Sequence, residues 1–332
     1  MNHRASTYPF LSAAFLLLSL GAVFLAATPA RPRAAQSAPA SAKESFRTVN
    51  DDTGRSIRVA APVRRVVSLS PSMTEIIYAL GLEDQLVGDT DYCDYPPDAV
   101  KKHKVGGVMN PSLEEIAALK PDMVLVTSSN RWETVNALDR LGIPSYAAEP
   151  RTLDEIRLLV RHLAGVLGKP EAGEALDAEL LERMESLEHK LKGVKPTRVF
   201  FVVWTDPLMS IGKHTFIADA LAHAGATSVV DSSQDWPQIS LEEMVRLQPE
   251  YLIFANSHSE IAARDVEALA ERPGWNLLDA VKQRRFAVVS DAVDRPAPRL
   301  FAAVEDLARQ LHPAAFERKT ATQPPPALKE NN

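Results

Sequence analysis

The sequence predicts an α/β protein made of two Rossmann-like lobes with parallel sheets, joined by one long rigid α-helix, with a ligand cleft between the lobes. Three observations support this. Strand and helix patterns alternate on both sides of residues 169–194, and those residues have the pattern of one amphipathic helix. One phrase also occurs in each half, SLEEIAALKPD at Ser112–Asp122 and SLEEMVRLQPE at Ser240–Glu250, each followed by an apolar strand pattern.

Residues 1–36 are predicted to be a signal peptide and linker. A basic start precedes the apolar run Phe10–Ala27, and small residues follow it up to Ala30. An uncleaved membrane anchor is the alternative, because this run is close to the length of a membrane span. In both cases the folded part would be exported to the periplasm. No cysteine lies near the end of the run, which argues against a lipid anchor.

Composition excludes several classes of function. The 332 residues carry a net charge of −6, which disfavours nucleic-acid binding, since that needs a basic face. The single cysteine, Cys93, cannot form an intrachain disulfide, and we expect a small buried side chain there, with a reactive thiol as the alternative. The sequence contains no CxxC or HExxH motif, so we expect no metal site. We expect a monomer without a cofactor of its own.

Residues 37–63 are assigned to an N-terminal extension and residues 64–168 to the N-terminal lobe. The β-branched run at Arg64–Ser70 predicts a buried strand. Ser72–Glu75 has the spacing of a capping box for the next helix, which Gly81 would end. The later predicted elements are strands at 85–90, 123–128 and 143–149, the helix SLEEIAAL, and a helix ending at 138–142.

Residues 169–194 are predicted to form the long helix between the lobes. Its apolar residues recur at spacings of four and three: Leu176, Leu180, Met184, Leu187 and Leu191. A rigid helix at this place would restrict closure of the lobes to a small hinge angle. Residues 195–312 are assigned to the C-terminal lobe, and residues 313–332 to a disordered tail. The elements predicted for this lobe are strands at 198–204, 251–256 and 284–290 and helices at 215–225, 240–247 and 298–311.

The repeated phrase contains two pairs of glutamates. Ser112 and Ser240 are predicted N-caps, and Glu115 and Glu243 would complete two capping boxes. Glu114 and Glu242 lack that explanation. There are two explanations for them. Either their charges interact favourably with the helix dipole, or each lobe presents one exposed acid to a partner with two basic sites.

Candidate ligand-binding residues come from segments that follow strands, because ligands bind beyond the carboxyl ends of strands in open α/β sheets. The aromatic members offer flat apolar area, although such residues also seal core edges. The polar members supply hydrogen bonds to a large, partly apolar ligand. The predicted residues are Pro71, Tyr92, Trp132, Trp204, Trp236, Asp291, Asp294 and Arg295.

Several segments occur in an order that resembles one known family. They are RVVSLSPSMTEIIYALG, DYCDYPPDA, SLEEIAALKPDMVLV, DWPQISLEE and SDAVDRPAPRL. From about Arg64 to Leu311 the chain is similar to the substrate-binding proteins of ABC transporters with a helical backbone, above all to the periplasmic cobalamin-binding proteins.

This resemblance implies roles for particular residues. Tyr92, Trp236 and the loop Asp291–Arg295 match positions that contact the corrin ligand in that family. Glu114 and Glu242 match the acids, one in each lobe, that dock on arginines of the membrane permease. The implied partners are therefore a corrinoid and an ABC permease.

The chain also departs from the family pattern. Typical members have a tryptophan where this chain has Val108 and an aromatic pair where it has Ala292 and Val293, so the exact corrinoid stays open. A haem or ferric-siderophore binding protein of the same fold is the first alternative, although the basic candidates Arg295, Arg131 and Lys213 are accompanied by acids. A sensor or scaffold role and an exported hydrolase are further alternatives, the hydrolase without a G-x-S-x-G motif.

Overall fold

The computed structural model describes residues 45–255 and 267–317. The predicted signal peptide and linker, and the predicted tail from residue 318 onward, lie outside these ranges. Within them, no helix is both long enough and apolar enough to cross a membrane.

An antiparallel hairpin forms the start of the described chain. Strands β1 (Ser45–Asn50) and β2 (Ser56–Ala61) pair with Ser45 opposite Ala61. Val59 of this hairpin is buried in the core of the N-terminal lobe, and the Arg47 side chain donates a hydrogen bond to the Val166 carbonyl. The described part of the predicted N-terminal extension, from Ser45 onward, is therefore packed onto the N-terminal lobe.

The N-terminal lobe has a four-stranded parallel sheet in the order β4-β3-β5-β6. Its strands are β3 (Val66–Ser68), β4 (Leu86–Gly88), β5 (Met123–Thr127) and β6 (Ser145–Ala148). Its helices are α1 (Pro71–Ala79), α2 (Leu113–Ala118), α3 (Trp132–Arg140) and α4 (Leu153–Val166). The two central strands, β3 and β5, are almost wholly buried, which explains why they are continuous apolar runs.

Helix α5 (Pro170–Leu191) is the long helix that the sequence predicts, and its 22 residues span about 33 Å at 1.5 Å per residue. Leu180 and Leu187 are buried in the core of the C-terminal lobe. Ala172 and Leu176 pack against the core of the N-terminal lobe. One helix thus contributes side chains to both cores.

The C-terminal lobe repeats the architecture, with a parallel sheet in the order β10-β7-β11-β12. Its strands are β7 (Thr197–Val202), β8 (Trp204–Thr205), β9 (Leu208–Met209), β10 (Ala226–Ser228), β11 (Tyr251–Ala255) and β12 (Phe286–Val289), of which β8 and β9 form a separate hairpin. Its helices are α6 (Phe216–His223), α7 (Leu241–Leu247), α8 (Asp279–Lys282), α9 (Arg299–Leu311) and α10 (Pro313–Phe316).

Both four-stranded sheets have the same strand order, 2-1-3-4 when each lobe is counted from its own first strand. The two copies of the repeated phrase form α2 and α7, and each helix leads into the strand that comes third in the chain order of its four-stranded sheet. The sequence prediction that the phrase occupies equivalent places in two α/β lobes is confirmed.

The predicted tail begins too early. Residues 313–316 form α10, and the Phe316 ring packs against the C-terminal core. The Lys190 ammonium lies 5.5 Å and the Arg309 guanidinium 4.7 Å from the centroid of that ring. These contacts hold the chain in place beyond α9, so the prediction of disorder is wrong for residues 313–317.

Candidate ligand-binding cleft

A cleft of about 870 Å³ lies between the lobes, at the carboxyl ends of strands from both sheets. Segments that follow β3, β5 and β6 line it from the N-terminal lobe, and the segment after β12 lines it from the C-terminal lobe. The Asn130 amide connects the loops of the N-terminal edge, because it donates hydrogen bonds to the carbonyls of Leu69 at 2.9 Å and Val108 at 2.8 Å.

The structure brings most of the predicted ligand-binding residues together. The residues that line the cleft are Pro71, Tyr92, Trp236, Asp291, Asp294 and Arg295. Trp132 and Trp204 do not line it. Trp132 is the first residue of α3, with the Arg55 guanidinium 5.5 Å from its ring centroid, and Trp204 lies in the β8–β9 hairpin. A position after a strand was therefore not sufficient to bring a side chain into the cleft.

Tyr92 lies in a loop that is held in place by hydrogen bonds from the Lys104 side chain. The Lys104 ammonium donates to Asp89 Oδ1 at 2.8 Å and to the carbonyls of Cys93 at 3.0 Å and Ala99 at 3.1 Å. Asp89 is fully buried and its Oδ2 has no hydrogen-bond partner, and burial raises the pKa of this carboxyl to about 6. Cys93 is buried, as predicted, and burial raises the pKa of its thiol.

Trp236 is displayed by a loop that lies against residues 210–213. The amides of Ser210 and Gly212 donate to the carbonyls of Pro237 at 3.0 Å and Asp235 at 2.9 Å. A Cβ atom at Gly212 would overlap the Gln234 carbonyl oxygen. Glycine is therefore needed at position 212 for the two segments to approach this closely.

A buried ionic cluster joins the lobes at one side of the cleft. The Glu75 carboxylate, from α1, accepts hydrogen bonds from Arg295 at 3.0 Å and from Arg299 at 2.9 and 2.8 Å. Arg299 also donates to Asp291, and its guanidinium lies 3.8 Å from the centroid of the Tyr95 ring. The predicted capping-box role of Glu75 is wrong: the N-cap is Ser70, and the glutamate points into the space between the lobes to meet two arginines.

A second ionic contact between the lobes is exposed to solvent. The Arg151 guanidinium, after β6, donates to Asp235 Oδ2 at 2.7 Å and also contacts the Glu149 carboxylate. Asp235 directly precedes Trp236, so this pair ties the Trp236 loop to the N-terminal lobe.

The cleft has an acidic balance of charge. Its described lining contains two guanidinium groups and six carboxylates, namely Arg151, Arg295, Asp91, Asp94, Glu149, Asp235, Asp291 and Asp294. Both arginines are paired with lining acids. The hydrogen bond from Arg295, at 2.7 Å, holds the pKa of Asp94 below its ordinary value. Among the described residues, no three acids, histidines or cysteines are grouped so as to hold a metal ion.

Some lining residues had a signal in the sequence that was not used. Glu149 and Arg151 directly follow β6, and Asp235 is adjacent to Trp236. The post-strand argument that gave Tyr92 applies equally to the first two. Arg299 had no such signal, because its role depends on contact with the other lobe.

The positions that depart from the family pattern have different environments. Val108 lines the cleft. Ala292 and Val293 are buried in the core of the C-terminal lobe and do not line it. Of these three positions, only Val108 marks a place where stacking area on a ligand could be missing.

The first turns of α2 and α7 are closely alike. Ser112 Oγ and Ser240 Oγ accept hydrogen bonds from the third following backbone amide at 3.2 and 3.1 Å, so both predicted N-caps are confirmed. The expected second halves of the capping boxes are not formed. Glu115 pairs instead with His103 at 2.8 Å, and Glu243 with Arg246 at 2.6 Å, since both carboxylates turn toward nearby basic side chains. Glu114 and Glu242 are exposed, and neither pairs with another described residue.

Comparison with known protein families gives one match over most of the chain. A family model described as periplasmic binding protein matches residues 66–292. The vitamin B12-binding protein of Vibrio cholerae El Tor is 30% identical over 257 residues, which cover 75% of this chain and 90% of that protein. An uncharacterized ABC transporter substrate-binding lipoprotein of Bacillus subtilis is also 30% identical, over 81% of this chain and 87% of its own length.

Solved structures agree on the fold and differ in their ligands. The crystal structure of the Vibrio cholerae vitamin B12-binding protein has a TM-score of 0.67 and 28% identity, covering 77% of this chain and 99% of that one. The periplasmic heme-binding protein of Roseiflexus sp. RS-1 has a TM-score of 0.68 and 27% identity, covering 76% and 99%. Two ligand classes are thus represented at nearly equal similarity.

Proposed function

The chain belongs to the periplasmic binding protein family, and from this premise we propose that it binds a corrinoid, such as cobalamin or cobinamide, between its lobes and delivers it to the permease of an ABC importer. Proteins of this type bind small molecules and work with ABC permeases. They are not enzymes. The proposal includes export to the periplasm by means of residues 1–36.

The observation that carries the ligand assignment is the charge of the cleft. Six carboxylates line it, and the two lining arginines are already paired with acids. Haem has two propionate groups, ferric siderophores are commonly anionic, and the molybdate bound by a Haemophilus influenzae periplasmic binding protein of the same fold is a dianion. Burying any of them here would place negative charge among carboxylates, and the described lining offers no unpaired cation to compensate it, which is unfavourable. A corrin ring carries neutral primary amides, whose N–H groups are donors for carboxylates.

Aromatic side chains on the two lobes complement this polar lining. Tyr92, from the N-terminal lobe, and Trp236, from the C-terminal lobe, are both exposed and line the cleft. Their rings offer apolar area to a flat macrocycle. The carboxylates around these rings would accept hydrogen bonds from the amide groups at the edge of the macrocycle.

The test is a calorimetric titration of the purified protein with cyanocobalamin, cobinamide, haemin and molybdate. We expect one corrinoid per chain with Kd below about 1 μM, or about −8 kcal/mol, and no binding of molybdate. Trp236→Ala should weaken corrinoid binding about tenfold or more, since it removes a large stacking surface. Trp204→Ala is the matched control, because Trp204 is also exposed but does not line the cleft. Binding of haemin or molybdate without a corrinoid would overturn the assignment.

Glu114 and Glu242 are proposed as the two acids that dock on the permease. Their support is that both are exposed and occupy the same position in the first turn of α2 and α7. Two like charges, one in each lobe, suit a two-fold partner with one basic site in each half. Reversing both to lysine should abolish uptake of radiolabelled cyanocobalamin while ligand affinity stays unchanged. Glu115 and Glu243, which are already paired with basic residues, give the control double variant. Uptake that survives the Glu114 and Glu242 reversals would refute this role.

A further inference from the structure

Two tryptophans remain without a role in the cleft. Trp132 is 58% exposed and Trp204 is 40% exposed. Apolar side chains that are exposed singly are ordinary on protein surfaces, so the position of these two tryptophans has to decide whether they matter. Tryptophan is also among the residues most enriched at the energetic centres of protein interfaces.

In the N-terminal lobe, Trp132 lies at the same edge as Glu114. Trp132 begins α3 and Glu114 lies in the first turn of α2, and both helices pack on the same core cluster, in which Ile116 and Val135 are buried. The hydrogen bond from Asn130 to the Val108 carbonyl, 2.8 Å long, holds the start of α3 against the segment that leads into α2. Met109, in that segment, is also exposed.

In the C-terminal lobe, Trp204 has an equivalent relation to Glu242. The hairpin of β8 and β9 is hydrogen bonded to the segment before α7, through the Ile239 amide and the Leu208 carbonyl at 2.9 Å. The Trp204 indole N–H donates to the Asp206 carbonyl at 2.8 Å, which fixes the orientation of the ring. In each lobe, therefore, one exposed tryptophan lies in an element that is hydrogen bonded, directly or through the residues just before it, to the segment leading into the helix with the exposed acid.

We propose that Trp132 and Trp204 are the apolar anchors of the permease-docking surface, each acting beside the docking acid of its own lobe. The partner is a two-fold membrane protein that presents, in each half, one basic side chain and one apolar socket. The proposal rests on the docking role given above to Glu114 and Glu242. In this proposal, Glu114 and Glu242 orient the protein as it meets the permease. The two indole rings then supply apolar contact area that stabilises the complex.

Matched controls exist in both lobes. Leu141 is 54% exposed at the opposite end of α3, and Leu277 is 55% exposed beside Gln248, at the opposite end of α7. These leucines are as exposed as the tryptophans but lie away from the acids. Substituting these leucines therefore shows whether any loss of uptake is specific to the tryptophan positions or follows from removing any exposed apolar side chain.

The first experiment compares the double variant Trp132→Ala/Trp204→Ala with Leu141→Ala/Leu277→Ala. Cyanocobalamin affinity is measured on the purified proteins. Uptake of radiolabelled cyanocobalamin is measured in cells of the source organism from which the chromosomal gene for this protein has been deleted. We expect the tryptophan variant to keep wild-type affinity and to need at least about tenfold more exported protein for half-maximal uptake. The leucine variant should match the wild type in both. Equal uptake by the two variants would overturn the proposal.

The second experiment does not depend on the ligand. A photoreactive phenylalanine analogue is placed at positions 132, 204, 141 or 277 of the full chain, and intact cells are irradiated. We expect an adduct with an integral membrane protein from positions 132 and 204 only, and its loss when Glu114 and Glu242 are changed to lysine. Adducts from all four positions, or from none, would contradict the proposal. Failure of cyanocobalamin to bind would instead count against the corrinoid assignment and leave this result intact.

Discussion

Two ionic contacts join the lobes across the cleft, and they differ in burial and in the number of partners. The Glu75 carboxylate is 2% exposed and is held by two arginines, whereas the Arg151 and Asp235 side chains are 40% and 38% exposed. A charge taken out of water must be fully compensated, while an exposed pair gains little. The comparison indicates that the Glu75 cluster fixes how the lobes meet and that the Arg151–Asp235 contact can open for a ligand.

The largest effect on stability is expected for Glu75→Ala. Removing the carboxylate leaves Arg295 and Arg299 close together, compensated by the more exposed Asp94 and Asp291 alone among the described residues, so we expect a loss of about 3 kcal/mol in the free energy of unfolding. Urea denaturation followed by tryptophan fluorescence measures this change. A loss below about 1 kcal/mol would mean that water already compensates these charges, and the distinction between the two contacts would not hold.

Asp89 is as buried as Glu75, but among the described residues it is paired with one lysine only. Its pKa is raised from 3.8 to about 6. Between pH 3.8 and about pH 6, the Asp89 carboxyl keeps a proton in the folded state that it has released in the unfolded chain. This carboxyl therefore stabilises the fold at low pH, and its contribution is lost as pH rises through about 6.

At roughly 1.4 kcal/mol per pKa unit, the contribution of Asp89 changes by about 3 kcal/mol across this window. We expect Asp89→Asn to remove that part of the pH dependence of unfolding, measured by urea denaturation at several pH values. Asp94→Asn is the control, because the pKa of Asp94 is lowered and its stabilisation is lost only as pH falls through that lowered value. If the free energy of unfolding of Asp89→Asn had the same pH dependence as that of the wild type, the role given to the raised pKa of Asp89 would be refuted.

The smallest effect on stability is expected for Arg151→Ala. The Arg151–Asp235 pair is exposed, so its loss should cost less than about 1 kcal/mol, and 1 M salt should remove most of the difference from wild type. Rates of ligand association, measured by stopped-flow tryptophan fluorescence, should rise if this contact must open. A cost comparable to that of Glu75→Ala would contradict the comparison.

The sequence was most informative where side chains face one local environment. The apolar runs that form β3, β5, β7 and β11 are buried on both faces, so their composition alone identifies them. The N-caps Ser112 and Ser240 were equally predictable, because their hydrogen bonds join residues three apart. Helix α4 was not predicted, although Ile156, Leu159, Val160 and Leu163 recur at helical spacing.

The site was less predictable where contacts join distant residues. Glu75 has the spacing of a capping box, but it meets arginines more than 200 positions later in the chain. Trp132 and Trp204 follow strands, as Tyr92 does, yet Trp132 begins α3 and Trp204 lies in the β8–β9 hairpin, and neither lines the cleft. No local pattern contains this information, since it depends on how the lobes pack.

Helix α5 gives side chains to the cores of both lobes, with Leu176 packed against each and Leu180 and Leu187 buried in one. Neither lobe therefore has a complete core without this helix. The described chain should melt in a single cooperative transition, with calorimetric and van't Hoff enthalpies that agree. Cutting the chain between β6 and α5 should yield two fragments that do not fold separately, however similar their sheets are.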